Sequence, residues 1–174
     1  ASACTATEVA NSDRSDEASI EGTTGADVSV TCNDGYTGSG TAICGTDGNF
    51  ITVVCVASAC TATEVANSDY SVEASIEGTT GTAVTVTCSA GYTGGGTATC
   101  GTGGTFNAVT CAASACTATE VANSDKSVEA SIEGTTGADI TVTCNTGYTG
   151  SGTATCGTGG TFTPVTCAAS ACTA

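Results

Sequence analysis

Cysteine is the residue with most chemistry to offer in this chain of 174 residues, which carries 13 of them. Their spacing is regular. Cys4, Cys60, Cys116 and Cys172 stand 56 residues apart, as do Cys32, Cys88 and Cys144; Cys44, Cys100 and Cys156; and Cys55, Cys111 and Cys167. Thiols can hold zinc, attack as nucleophiles or crosslink. Zinc sites usually show short Cys knuckles, often with His. Here His is absent, and close pairs such as Cys55 and Cys60 join two different repeats. Crosslinking is the reading that remains, and disulfides persist in oxidising surroundings, outside the cell or along the secretory pathway. Sequence alone permits three pairings of the four Cys in each repeat.

Carboxylates are the other candidates. Asp16, Glu17 and Glu21, with Glu73 and Glu77 in the second repeat, could in principle act as paired acid and base. An enzyme is not expected to repeat one site along an array, and His is missing for a triad or a relay. The chain therefore reads as a non-enzyme. Glu8, Asp13, Glu17 and Glu21, and Glu64, Asp69, Glu73 and Glu77, form an acidic stretch without EF-hand spacing. Hard oxygen ligands leave room for a weak Ca²⁺ site between repeats, with a solvated face as the default; no other cofactor is implied. Seventeen acidic residues against Arg14 and Lys126 give a net charge of −15, which excludes nucleic acid and anionic lipid as partners. No apolar run is long enough to insert in a membrane. Gly94-Gly95-Gly96 lacks the Lys of a phosphate loop and reads as a turn.

Hydroxyls are dense: about three residues in ten are Thr or Ser. There is no Asn-x-Ser/Thr sequon. Thr23, Thr24, Thr79, Thr80, Thr135 and Thr136 fall in turns, and Thr37, Thr93 and Thr149 follow a Tyr. These nine are candidates for O-glycosylation, so covalent glycans are expected partners. The bland alternative is that Thr suits exposed strands.

The elements that carry these residues follow the repeat frame: 1–56, 57–112, 113–168, and 169–174 as the start of a fourth copy. Repeats two and three differ at nine of 56 positions, and repeats one and two at 15. Cys172 stands where a fourth repeat would place its first Cys, which suggests a window on a longer array. The links Val56–Ala59, Ala112–Ala115 and Ala168–Ala171 span at most roughly 17 Å. Neighbouring repeats must then touch or nearly touch, and an elongated rod is expected.

Within the third repeat, Ile140 to Cys144 alternates strictly and is the clearest strand. Thr153–Cys156 and Thr161–Cys167 read as two more, and Val128–Glu133 alternates in part. Gly134–Gly137, Gly147–Gly152 and Gly157–Gly160 read as turns, and nothing carries a helical stripe. The class is all-β: tandem small modules stapled by disulfides. With seven aromatic residues in the whole chain, a 56-residue unit is short of core. The expected core is the four Cys, Ile132, Ile140, Val142, Tyr148, Phe162 and Val165.

The run from Gly81 to Cys100, Gly-x-x-Val-x-Val-x-Cys-x-x-Gly-Tyr-x-x-x-Gly-x-x-x-Cys, is followed by Gly104, Phe106 and Cys111. On these residues each repeat resembles a sushi, or complement control protein, module. The resemblance implies pairing of first Cys with third and second with fourth: Cys4–Cys44, Cys32–Cys55, Cys60–Cys100, Cys88–Cys111, Cys116–Cys156 and Cys144–Cys167. Phe50, Phe106 and Phe162 stand where such modules have a core Trp, the last inter-Cys segment is short, and the early Pro residues are missing.

Near-identical units with short links imply a structural part of an extracellular or cell-surface filament, hair or stalk, whose partners are copies of itself. The alternative is an adhesion or receptor ectodomain for a protein or glycan. Variation at Arg14/Tyr70/Lys126 and at Asn107/Thr163 marks where a ligand or lateral contact would lie.

Overall fold

A computed structural model describes residues 1–171. Among them there is no helix. The strands are short: β1 (Asp27–Val30), β2 (Tyr36–Thr37), β3 (Gly40–Cys44), β4 (Phe50–Ile51), β5 (Val56–Ala57), β6 (Ala83–Val86), β7 (Tyr92–Gly94), β8 (Gly96–Thr99), β9 (Cys111–Ala113), β10 (Asp139–Val142), β11 (Tyr148–Thr149), β12 (Gly152–Thr155) and β13 (Ala168–Ala169). Cys172 lies outside the described residues. The chain divides into two compact units. The first holds Ala1–Glu64, Glu73–Thr85 and Thr97–Ala108; the second holds Val65–Val72, Val86–Gly96 and Val109–Ala174.

In the first unit, β1 pairs antiparallel with β3, Val28 facing Ala42 and Val30 facing Gly40. Alternation turns Val28 and Val30 inward and Ser29 outward, as period two requires. Their partners in the core are Val9, Ile20, Ala42 and Cys55, with Phe50 and Val53 packed against them. The second unit repeats this around Val121, Ile132, Val142, Ala154 and Cys167, with β10 pairing β12. Ile20, Ile76 and Ile132 are each no more than 1% exposed and are the largest wholly buried side chains.

Val128–Glu133, which alternates only in part, forms no strand: Ala130 has φ +56°, Val128 is 72% exposed, and only Ile132 bridges, to Thr119. A single left-handed residue breaks the partial alternation. Expectations elsewhere need correction. Thr161–Cys167 is not a strand. Phe162 makes one bridge to Cys156; beyond it, Pro164 has no N–H to offer a ladder. The Thr163 hydroxyl instead accepts a bond from the Thr155 N–H at 2.8 Å, and in the second repeat the Asn107 side chain does the same for Thr99. The first repeat has Ile51 there, and β4 forms a regular pair with β3. Finally, Tyr148 is 36% exposed and lies outside the core, although Tyr36 packs against the core of the first repeat.

The opening quarter of each repeat is irregular and is held by side chains. Asn11, Asn67 and Asn123 take the left-handed conformation at φ 59–63°. The next residue, Ser12, Ser68 or Ser124, is buried. In each case its hydroxyl donates to the carbonyl three residues back at 2.7 Å and accepts an N–H two residues on at 2.9 Å. The following Asp accepts the N–H of Thr31, Thr87 or Thr143, tying the loop to the end of β1, β6 or β10. Asn-Ser-Asp is thus a clasp, with one residue for the turn, one for the interior and one for the strand end.

Two substitutions in this segment should move stability in opposite directions. Ser124→Ala leaves the Val121 carbonyl and the Lys126 N–H without their partner and should cost about 1–3 kcal/mol. Ala130→Gly relieves a left-handed backbone that costs an L-residue roughly 1–2 kcal/mol, less the extra entropy of an unfolded Gly, and should stabilise by about 0.5 kcal/mol. Urea midpoints of the oxidised protein check both.

Candidate functional site

Among the described residues there are six disulfides: Cys4–Cys44, Cys60–Cys100 and Cys116–Cys156, each closing 40 residues, and Cys32–Cys55, Cys88–Cys111 and Cys144–Cys167, each closing 23. Of the three pairings open to four Cys, each repeat thus has first with third and second with fourth. The longer bridge draws the opening segment to the end of β3, where the Cys4 N–H donates to the Gly22 carbonyl. The shorter one fastens the closing segment beside the end of β1. By chain entropy, loops of these lengths contribute about 3–4 kcal/mol each.

The carboxylates are not gathered into a site. Glu8, Glu64 and Glu120 accept the N–H of Ala18, Ala74 and Ala130, the left-handed residues. Asp13 and Asp69 belong to the clasps. Asp16, Glu17, Glu21, Glu73 and Glu77 are exposed. Among the described residues no three His, Cys, Asp or Glu come together as a metal group. Asp47 accepts two bonds from Asn49, which hold its carboxyl below the usual range at the surface. Arg14 and Asp13 make an exposed ion pair at 3.9 Å that adds little.

The arrangement that recurs with the same atoms is the junction where one repeat meets the next. In the first unit β2 pairs antiparallel with β5, Tyr36 facing Ala57. The chain then crosses into the second repeat. The Ser58 N–H donates to the Gly35 carbonyl at 2.8 Å, and the Thr80 N–H to the Ser58 carbonyl at 2.8 Å. The Thr80 hydroxyl lies 2.7 Å from the Gly35 carbonyl and 3.3 Å from that of Ser58. The second unit repeats each bond. β7 pairs with β9, Ser114 donates to Gly91, and the Thr136 hydroxyl lies 2.7 Å from the Gly91 carbonyl and 3.3 Å from that of Ser114.

Gly35 has to be Gly. Its φ is +84°, and a Cβ there would stand 2.8 Å from the Thr102 backbone and 2.9 Å from the Thr80 side chain. Gly91 meets Thr158 and Thr136 in the same way. Both Thr residues come from the following repeat, so the missing side chain is what lets the repeats approach.

The nine Thr residues singled out as glycan candidates therefore differ in situation. Thr80 and Thr136 are half-buried, with their hydroxyls engaged in the junctions. Thr24 is half-buried and lies 3.2 Å from the Ser2 carbonyl. Thr23, Thr37, Thr79, Thr93, Thr135 and Thr149 are exposed. Sequence reasoning missed both the latch that Thr80 and Thr136 form across the junctions and the buried Ser of the clasp. The only signal was a Thr-Thr pair recurring a fixed distance after each link. No protein-family model matches the chain, and no match was found among curated proteins.

Thr80→Val keeps the shape of the side chain and removes its two bonds, at a cost of about 1 kcal/mol. Amide exchange at Ser58 and Thr80 should accelerate, while Thr24→Val should leave both unchanged. Gly91→Ala should be worse than Thr80→Val, because it adds a clash with backbone to a strained φ. Hydrogen exchange read by NMR checks all three.

Proposed function

We propose that this chain is a structural component of an extracellular filament, surface hair or stalk, built from tandem sushi-like modules stacked into a rod. The observation that carries this reading is the repeated junction. The same four bonds recur 56 residues apart, with matching distances for the Thr hydroxyl. A set of bonds that closes identically at each link suits an array extended by adding units.

Other features support it. Six disulfides suit an oxidising location, which we take to be outside the cell. Crosslinked small modules keep their fold without a large core. Glycans on the exposed Thr residues would add a hydrated coat to an acidic surface.

A second reading, an adhesion or receptor ectodomain, draws on one observation. Ile51, the counterpart of Asn107 and Thr163, is 71% exposed; its cross-strand neighbour Ile43 is 44% exposed, and Val54 and Val56 are also exposed. Repeats two and three carry Thr, Asn or Ala at these places. An exposed apolar group at these four places, present only in repeat one, suits a contact made there.

Electron microscopy of native material separates the two. Regular filaments with an axial period of one or a few modules are expected; short isolated rods with a soluble protein attached would overturn the structural reading. Intact-mass measurement of the native protein should exceed the polypeptide mass by whole sugar residues, and a bare mass would remove the glycan part of the proposal.

A further inference from the structure

Repeat three carries a feature that a structural role leaves unused. The Phe162 ring is half-buried, with one edge against Gly134, where a Cβ would stand 3.5 Å from its tip. The ring lines two adjoining hollows. One, of about 210 Å³, is bounded by Thr119, Glu120, Pro164 and Val165 among others. The second, of about 190 Å³, is bounded by Thr117, Thr119 and Thr161. Pro164 is the one Pro in the chain, and the other repeats have Thr52 and Ala108 at its place. Its fixed φ stiffens the wall beside the ring.

The polar groups around the ring have capacity to spare. The Thr117, Thr119 and Thr161 hydroxyls make no hydrogen bond within the described protein, and each can both donate and accept. Glu120 uses Oε2 to accept the Ala130 N–H at 3.4 Å, which leaves Oε1 as an acceptor at the rim. No Lys or Arg lines either hollow. An aromatic ring flanked by hydroxyls and one carboxylate suits a ligand with an apolar face and a ring of hydroxyls. The lack of a cation, in a chain of charge −15, disfavours phosphate, sulfate and uronate.

We infer that the Phe162 hollows form a binding site for a neutral pyranose sugar, with the ring as the stacking platform and Thr117, Thr119, Thr161 and Glu120 as hydroxyl partners. This site is separate from the junctions and goes beyond a structural role. A shallow site with few contacts suits weak, readily reversible binding rather than tight recognition.

The test uses the full oxidised chain, ¹⁵N-labelled, titrated with cellotetraose, with mannotetraose, and with tetragalacturonate as the anionic control. Saturable shifts are expected at Thr117, Thr119, Thr161 and Phe162 with at least one neutral probe. Phe162→Leu, which keeps an apolar side chain, should weaken that binding at least tenfold. Thr161→Val, at an exposed position, should weaken it about threefold with an unchanged spectrum elsewhere, and it decides the matter if Phe162→Leu fails to fold. The proposal is overturned if neither neutral sugar shifts these amides, if the anionic control binds as well, or if the folded variants bind like the parent.

Discussion

The long disulfide of each repeat is the constraint on which the rest hangs. The opening segment has no strand of its own beyond single bridges such as Ala3 to Thr23 and Thr7 to Ile20. Nothing periodic holds it to the sheet. Cys4–Cys44 and its counterparts fasten it there, and only then can Val9, Val65 or Val121 reach the interior. A core centred on one isoleucine and a few valines is too small to order such a segment unaided. Crosslinking reduces what that core must offset by limiting the freedom of the unfolded chain. The buried Ser and the Asp that follows it then fix the loop in detail.

Once the opening segment is in place, it does two jobs. It closes the core on one side, and by its bridges from Ala59 to Thr79 and from Ala115 to Thr135 it sets Thr80 or Thr136 against the preceding repeat. The junction therefore inherits its geometry from the disulfide. The second Thr of the Thr-Thr pair follows from where Cys60 or Cys116 holds the chain, and Gly35 or Gly91 leaves the space it enters. Fold and assembly share one set of restraints.

Some of this was legible in the sequence. The 56-residue recurrence is a property of the Cys spacing itself, and strict alternation over Ile140–Cys144 located β10, whose Thr141 is exposed. The all-β class followed from β-branched runs punctuated by Gly. Less legible were Val121 and Ala154, two core residues set in unpromising surroundings. Val121 sits in a segment without alternation, and Ala154 is too small to stand out, yet it faces Ile140 across the sheet. Val128–Glu133 alternates in part yet forms no strand, because Ala130 adopts a backbone that no composition rule assigns to Ala. The junction latch was invisible, since a side chain bonding to a carbonyl 45 residues away leaves no periodic trace. Thr80 and Thr136 looked like any other turn Thr for that reason.

The junction accepts its bonds on backbone carbonyls and uses one Gly, one Ser and one Thr. All but two of the 15 differences between the first and second repeats fall after the twenty-fifth position of the frame, and neither of those two is a latch residue. Sequence drift in the later half of a unit thus leaves its fit to the next unit intact. A gene for such an array can lose or gain whole copies by unequal recombination, and the joint left at the crossover is the same joint as before.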